Sequence, residues 1–170
     1  MDDKTSAPPI VVGVSGSHAS AAALRWAAEQ ARQRRAPLIA VHAWEPTSAL
    51  HAPYAPAAAC PTPADDRVAA QLLLLGALAA AIPAGLDIEV HALLIEDRPV
   101  PALLRYTTDA TLLALGHRLP PDGAPTPLGP VTRDCTAKSH CPVVTIPDTA
   151  PAARPEPAPA ARQPSVVGHG

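Results

Sequence analysis

Residues 111–147 read TLLALGHRLPPDGAPTPLGPVTRDCTAKSHCPVVTIP, and the order of elements within this stretch decides the fold. Thr111 to Leu115 is a short apolar run of strand character, and Pro142 to Ile146 is a second, β-branched one. Between them, Gly116 to Gly129 is a Pro-rich loop, and Gly129 to Ser139 has the polar composition of a short surface helix. A strand leading through a loop to a helix start is where α/β proteins hold phosphate, on free backbone N–H groups and the positive helix end. The loop has that place but few of the donors. Pro120, Pro121, Pro125 and Pro127 each lack an N–H, and Asp122 adds negative charge.

The same alternation extends towards the N-terminus. Residues 10–14, IVVGV, form a buried first strand, followed by the turn-forming SGSHAS. From Ser17 to Arg35, the positions Ala21, Leu24, Ala28 and Ala31 recur at helical spacing, and Pro37 ends that helix before a second strand at Leu38–Trp44. Residues 45–64 are a Pro-rich insertion, read as a mobile loop. A second helix over Asp65–Ile82 presents Val68, Leu72, Leu75 and Ala79 as its inward face and is expected to be the best-buried helix. Residues 86–96, LDIEVHALLIE, in which Leu86, Ile88, Val90 and Ala92 alternate with Asp87, Glu89 and His91, mark a half-buried third strand near a sheet edge. A short helix over Pro99–Thr108 turns Val100, Leu103 and Leu104 inward.

Strands alternating with helices imply one α/β domain: a three-layer, doubly wound parallel sheet with right-handed crossovers. Ligands of such sheets sit at the carboxyl ends of the strands, at the switch point. Residues 1–9 read as a flexible N-terminus and 148–170 as a disordered Ala/Pro-rich tail.

Composition narrows the function. The 170 residues include no Phe, two Trp and two Tyr, so the core rests on Val, Leu, Ile and Ala. A net charge of −2 gives no electrostatic reason to expect nucleic acid. There is no apolar run long enough to span a membrane and no signal-peptide pattern at the start, so the expected location is the cytoplasm. Cys60, Cys135 and Cys141 form no CxxC pair and are expected to be buried, unreactive thiols. His42, His91, His117 and His140 lack metal-ligand spacing, so no metal is expected, although His117 and Arg118 begin the loop where an anion would lie. No nucleophile elbow and no GK[ST] phosphate loop is present, so no catalytic residue is assigned and the protein is expected not to be an enzyme.

The segments IVVGVSGSHASAAALRWAAEQA, PLIAVHAW, the Gly116–Gly129 loop and SHCPVVTIP together resemble the universal stress protein family. The resemblance spans residues 10–147 apart from the insertion. It implies an adenine nucleotide alpha hydrolase-like sheet of five strands in the order 3-2-1-4-5. It also implies a homodimer through the fifth strand, at Val143, Val144, Thr145 and Ile146. Family members that bind ATP carry G-x2-G-x9-G-[S/T] after strand four, an Asp after strand one and a backbone contact from strand two to adenine. By that resemblance the candidate nucleotide site is Gly13, Ser15, Val41, Gly116, Arg118 and Gly129.

The length of the motif is kept and its chemistry is not. Leu119 stands at the second glycine, where a bulky side chain meets the phosphate path, and Pro130 stands at the hydroxyl residue. Ser15 replaces the Asp, leaving a shorter, uncharged group. Each lost hydrogen bond to a charged group costs about 1.5–3 kcal/mol, so two or three losses weaken ATP binding by several powers of ten. The expectation is a non-catalytic stress-response protein acting through dimerisation or partner binding, with ATP and Mg²⁺ weakly bound or lost. The alternative is a working ATP- or cyclic-nucleotide-binding stress protein with slow ATP hydrolysis.

Overall fold

The central strand of the sheet is the IVVG run, β1 (Ile10–Gly13), in which Ile10, Val11 and Val12 are wholly buried. It pairs in parallel with β2 (Leu38–Trp44) on one side, Ile10 opposite Leu38, and with β4 (Leu112–His117) on the other, Ile10 opposite Leu112. β3 (Val90–Glu96) extends the sheet beyond β2, and β5 (Val143–Pro147) extends it beyond β4. The order is β3-β2-β1-β4-β5, all parallel, as the family resemblance implied. The computed structural model describes residues 7–47, 61–120, 124 and 126–148. The expectations for residues 1–6, 48–60 and 149–170, and for Cys60, Pro121, Asp122 and Pro125, fall outside the described residues.

Alternation along the strands divides the core in two. Ile10, Val12, Leu38, Ala40, Leu112 and Ala114 face α1 (His18–Arg34) and α2 (Pro63–Ala81). Val11, Val41, Leu113 and Leu115 face α3 (Pro99–Leu104) and α4 (Pro130–Lys138). Helix α1 lies close on the sheet because its buried side is nearly all small: Ala19, Ser20, Ala23, Ala27, Ala28 and Ala31 around Leu24. Ser17 caps it by accepting the Ser20 N–H, and Arg35 ends it in the left-handed region at φ 51°.

Helix α2 starts two residues earlier than its charge pattern indicated, at Pro63, behind a capping box in which Thr62 and Asp65 satisfy each other's backbone N–H. Its orientation overturns the expected inward face. Ala70, Leu74 and Ala81 are buried, whereas Val68 is 56%, Leu72 65% and Leu75 49% exposed, and Ala79 is also exposed. From Val68 to Ala81 the helix carries no charged residue, so its periodicity singles out no face. The side that meets α1 and the sheet is the one with small residues beside Leu74.

The third strand starts later than the 86–96 stretch indicated. Leu86 and Ile88 precede β3 and pack beside the first core cluster, and pairing with β2 runs from Leu38–Val90 to Trp44–Glu96. The later part of that stretch, Val90–Glu96, makes the ladder, at the edge position expected. Helix α3 stops at Leu104, with Ala102 and Leu103 as its buried residues; the 3₁₀-like bonds from Tyr106 and Thr107 back to Leu103 and Leu104 close its end. Among the described residues no helix is long and apolar enough to cross a membrane.

The orientation of α2 is tested by a pair of truncations read by urea denaturation. Leu74→Ala is expected to cost about 2–5 kcal/mol and Leu72→Ala no more than about 0.5 kcal/mol, and the reverse order would contradict it.

Candidate functional site

From β1 the chain crosses to β2 through α1 on one face of the sheet; from β4 it crosses to β5 through α4 on the other. The carboxyl ends of β1 and β4 therefore diverge, and a crevice opens between them. It contains two adjoining cavities. The first, of ≈ 350 Å³, lies over Gly13, Val41 and Ala43 between Leu103 and Val131 and is largely apolar. The second, of ≈ 390 Å³, lies over His117, Arg118 and Gly129, and the two share Ser17, Gly116 and Thr132. All six carried-over positions line this crevice: Gly13, Ser15 and Val41 the first cavity, Arg118 and Gly129 the second, and Gly116 both.

The turn after β1 is held by serines. The Ser15 N–H donates to Ser20 Oγ at 3.2 Å, Ser20 Oγ–H donates to the Ser17 carbonyl at 2.9 Å, and the Ser15 and Ser17 hydroxyls share a 3.1 Å hydrogen bond. Gly16 makes the turn at φ +77°, a conformation that side chains rarely adopt. Ser15 thus brings a neutral hydroxyl, not a carboxylate, to the rim.

The glycines have distinct roles. Gly116 lies inside β4 rather than opening the loop, and a Cβ there would stand 2.3 Å from the Ala19 carbonyl carbon and 2.6 Å from the Ser20 nitrogen. Its bare Cα is what lets the start of α1 lie on β4. A Cβ on Gly13 would meet only side-chain ends, Leu115 at 2.7 Å and Leu103 at 3.4 Å, and one on Gly129 would meet nothing within 4 Å.

Val41 supplies its buried side chain to the first cavity, but its carbonyl is already used: it accepts the Val14 N–H at 2.8 Å. The backbone groups of β2 face β1 and β3 in turn, so Pro37 and Val41 bond towards β1, while Leu38 and Trp44 bond towards β3 and its end. Ala43 falls on the β1 side, past the last rung, and no described group pairs with its N–H or C=O. The open backbone donor and acceptor on strand two are therefore those of Ala43, two residues beyond the position taken from the resemblance.

Two further expectations change. Leu119 lines neither cavity and is 38% exposed, so it does not fill the phosphate path. Pro130 is the first residue of α4 and offers no donor, but Thr132, buried at 6% exposure, lines both cavities, and its hydroxyl has no described partner. The N–H groups of Val131 and Thr132 belong to the unpaired first turn, which ends where the Arg133 N–H bonds Gly129 O at 2.9 Å. No acidic residue lies in that turn, and Arg118 is exposed with no ion-pair partner among the described residues. Two signals mark these missed residues in the sequence: a hydroxyl two places after an N1 proline, and an apolar strand two residues longer than its neighbour.

Cys135 is wholly buried on the inner side of α4; burial pushes its thiol up, the Asp134 carboxylate adds to this and Lys138 opposes it, which keeps the thiol protonated. Cys141 is half-buried beside the Ser139 hydroxyl at 3.5 Å. Among the described residues no three His, Cys, Asp or Glu side chains group as metal ligands.

If Gly116 is a packing residue and Gly129 is not, Gly116→Ala costs at least about 3 kcal/mol in urea unfolding, while Gly129→Ala stays within about 0.5 kcal/mol. Equal costs would contradict this division.

Residues 7–147 match the universal stress protein family. The universal stress protein Rv2623 of Mycobacterium tuberculosis H37Rv is 32% identical over 150 residues, covering 87% of this chain and 50% of that protein. Rv2028c of the same organism is 28% identical over 150 residues, covering 86% and 50%. The chain thus spans about half the length of the relatives it matches. Among solved structures, a universal stress protein from Archaeoglobus fulgidus superposes with a TM-score of 0.58 at 23% identity, covering 83% of this chain and 94% of its own. A universal stress protein family member from Burkholderia pseudomallei gives 0.59 at 21%, covering 82% and 95%. With the family pattern matched over nearly all the described residues, and with the fold and switch-point crevice in place, this chain belongs to the universal stress protein family.

Proposed function

We propose that this domain is a non-catalytic stress protein that binds an adenine nucleotide with a single phosphate and discriminates against Mg²⁺·ATP. The observation that carries the reading is the pairing of a largely apolar cavity, bordered by the free backbone of Ala43, with a smaller set of anion donors next to it. An apolar cavity of ≈ 350 Å³ falls within the usual size range of small-molecule sites, and an N–H beside a C=O matches the donor–acceptor edge of adenine.

The second cavity sets the phosphate count. Arg118, the Thr132 hydroxyl and the two open N–H groups of α4 suffice for one phosphate. A triphosphate would run along the 116–129 loop, where Pro120, Pro121, Pro125 and Pro127 have no N–H, and on to Pro130, which has none either. Neither a carboxylate at Ser15 nor a described metal-ligand group supports bound Mg²⁺. Structures of this fold have been solved with monophosphates: an Arabidopsis thaliana family protein with AMP, the Archaeoglobus fulgidus protein with dAMP, and a universal stress protein with cAMP. Hydrolysis is no part of this reading: His117 borders the second cavity beside Arg118, but Ser15 brings no carboxylate to hold a metal-bound triphosphate.

In the same reading the protein is a homodimer through β5. Val144 and Ile146 bond towards β4, which leaves the backbone of Val143 and Thr145 pointing outward from a half-buried edge strand.

Calorimetric titration tests the ligand. AMP is expected to bind saturably, Mg²⁺·ATP at least about tenfold more weakly, and Arg118→Ala to lower AMP affinity about tenfold to a hundredfold while leaving adenosine unchanged. ATP binding more tightly than AMP, or phosphate release from ATP, would overturn the reading. For the dimer, Thr145→Pro deletes one outward N–H without touching the β4 ladder, so light scattering should show a monomer of unchanged thermal stability. A dimer that persists would remove β5 as its interface.

A further inference from the structure

The end of the β1–β2 ladder is held by a side chain. The ladder is bounded by the bond from the Ile10 N–H to Pro37 O, 2.9 Å, at its start and from the Val14 N–H to Val41 O, 2.8 Å, towards its end. The next rung of a continuing parallel ladder would run from the Ala43 N–H to Val14 O. That bond is not made among the described residues. The Val14 carbonyl instead meets His42 Nδ1 at 2.7 Å, and the ring is nine-tenths buried. A carbonyl only accepts, so Nδ1 carries the proton in this pair.

We propose that His42 is a positioning residue that holds the Val14 carbonyl out of the ladder and so keeps the Ala43 N–H and C=O open at the first cavity. The side chains of residues 38, 40 and 42 leave the same face of β2, and Leu38 and Ala40 pack in the α1 cluster, so the ring reaches Val14 from the α1 face of the sheet. A carbonyl turned towards that face is poorly aimed at a donor in the plane of the sheet. The neighbouring sequence favours the same break, since Ser15 and Gly16 turn the chain into α1 directly afterwards. His42 also borders the first cavity, but in this scheme it acts through the Ala43 peptide and not by contact with the base. β1 ends three residues short of β2, and the uncovered peptide becomes the edge that reads a base. This last role rests on the nucleotide reading, whereas the effect on the ladder does not.

Amide hydrogen exchange followed by NMR on the full chain separates the two. In the native protein the Val41 amide is expected to be protected and the Ala43 amide to exchange at least about tenfold faster, slowing when AMP is added. In His42→Leu the freed carbonyl takes the Ala43 N–H, so Ala43 becomes protected and AMP affinity falls about tenfold while the melting transition stays cooperative. His42→Asn, whose side-chain N–H₂ still donates to Val14 O, should restore both native values. Equal protection of Val41 and Ala43 in the native protein, or an unchanged Ala43 amide in His42→Leu, overturns the proposal. If the exchange pattern holds and AMP fails to bind native protein, His42 keeps its positioning role and the nucleotide reading fails alone.

Discussion

The contact on which the site depends is the approach of α1 to β4 at Gly116. The helix backbone at Ala19 and Ser20 comes so close to the strand that a Cβ on Gly116 would lie 2.3–2.6 Å from main-chain atoms. Backbone cannot move aside as a flexible side chain can, so this position tolerates nothing larger than glycine. The contact fixes the height at which α1 begins, and with it the Ser15–Ser17–Ser20 turn that forms one wall of both cavities. The positive end of α4 faces that wall across the crevice.

Given that frame, the ligand groups follow from where ladders stop. β1 ends at Gly13 while β2 continues to Trp44, so the two strands cannot pair to the same height. The surplus length of β2 would be a liability in a core, because unpaired peptides are costly when buried. Here it opens into a cavity, where a ligand can satisfy it. At the α4 end, Pro130 fits the first helical position because the N–H it lacks would have been unpaired there anyway, but the donor set moves inward to Val131 and Thr132. In the proposed reading these donors serve one phosphate and not three.

The fold was legible because each strand is a compact β-branched or Leu-rich run bounded by Pro or Gly, and because strand order follows from the family pattern. The glycine positions Gly13, Gly116 and Gly129 border the crevice, and Gly116 also carries the packing of α1, which its place in the motif did not reveal. Leu119 borders neither cavity, because register in a motif does not say which way a loop side chain turns. The α2 face was not legible: a helix apolar all round gives the same periodic signal for Leu72 as for Leu74, and only contact with α1 and the sheet chooses between them. Ala43 was hidden for a related reason. Which peptides of a strand are unpaired depends on the length of the neighbouring strand, a property that residue types do not encode locally.

The most direct test of this account is a crystal structure of the protein grown with AMP. The account predicts the base against the Ala43 N–H and C=O, and the phosphate within about 3 Å of both the Arg118 guanidinium and the Thr132 hydroxyl. AMP bound elsewhere on the protein would contradict it, as would a parallel structure with Mg²⁺·ATP in which three ordered phosphates follow the 116–129 loop.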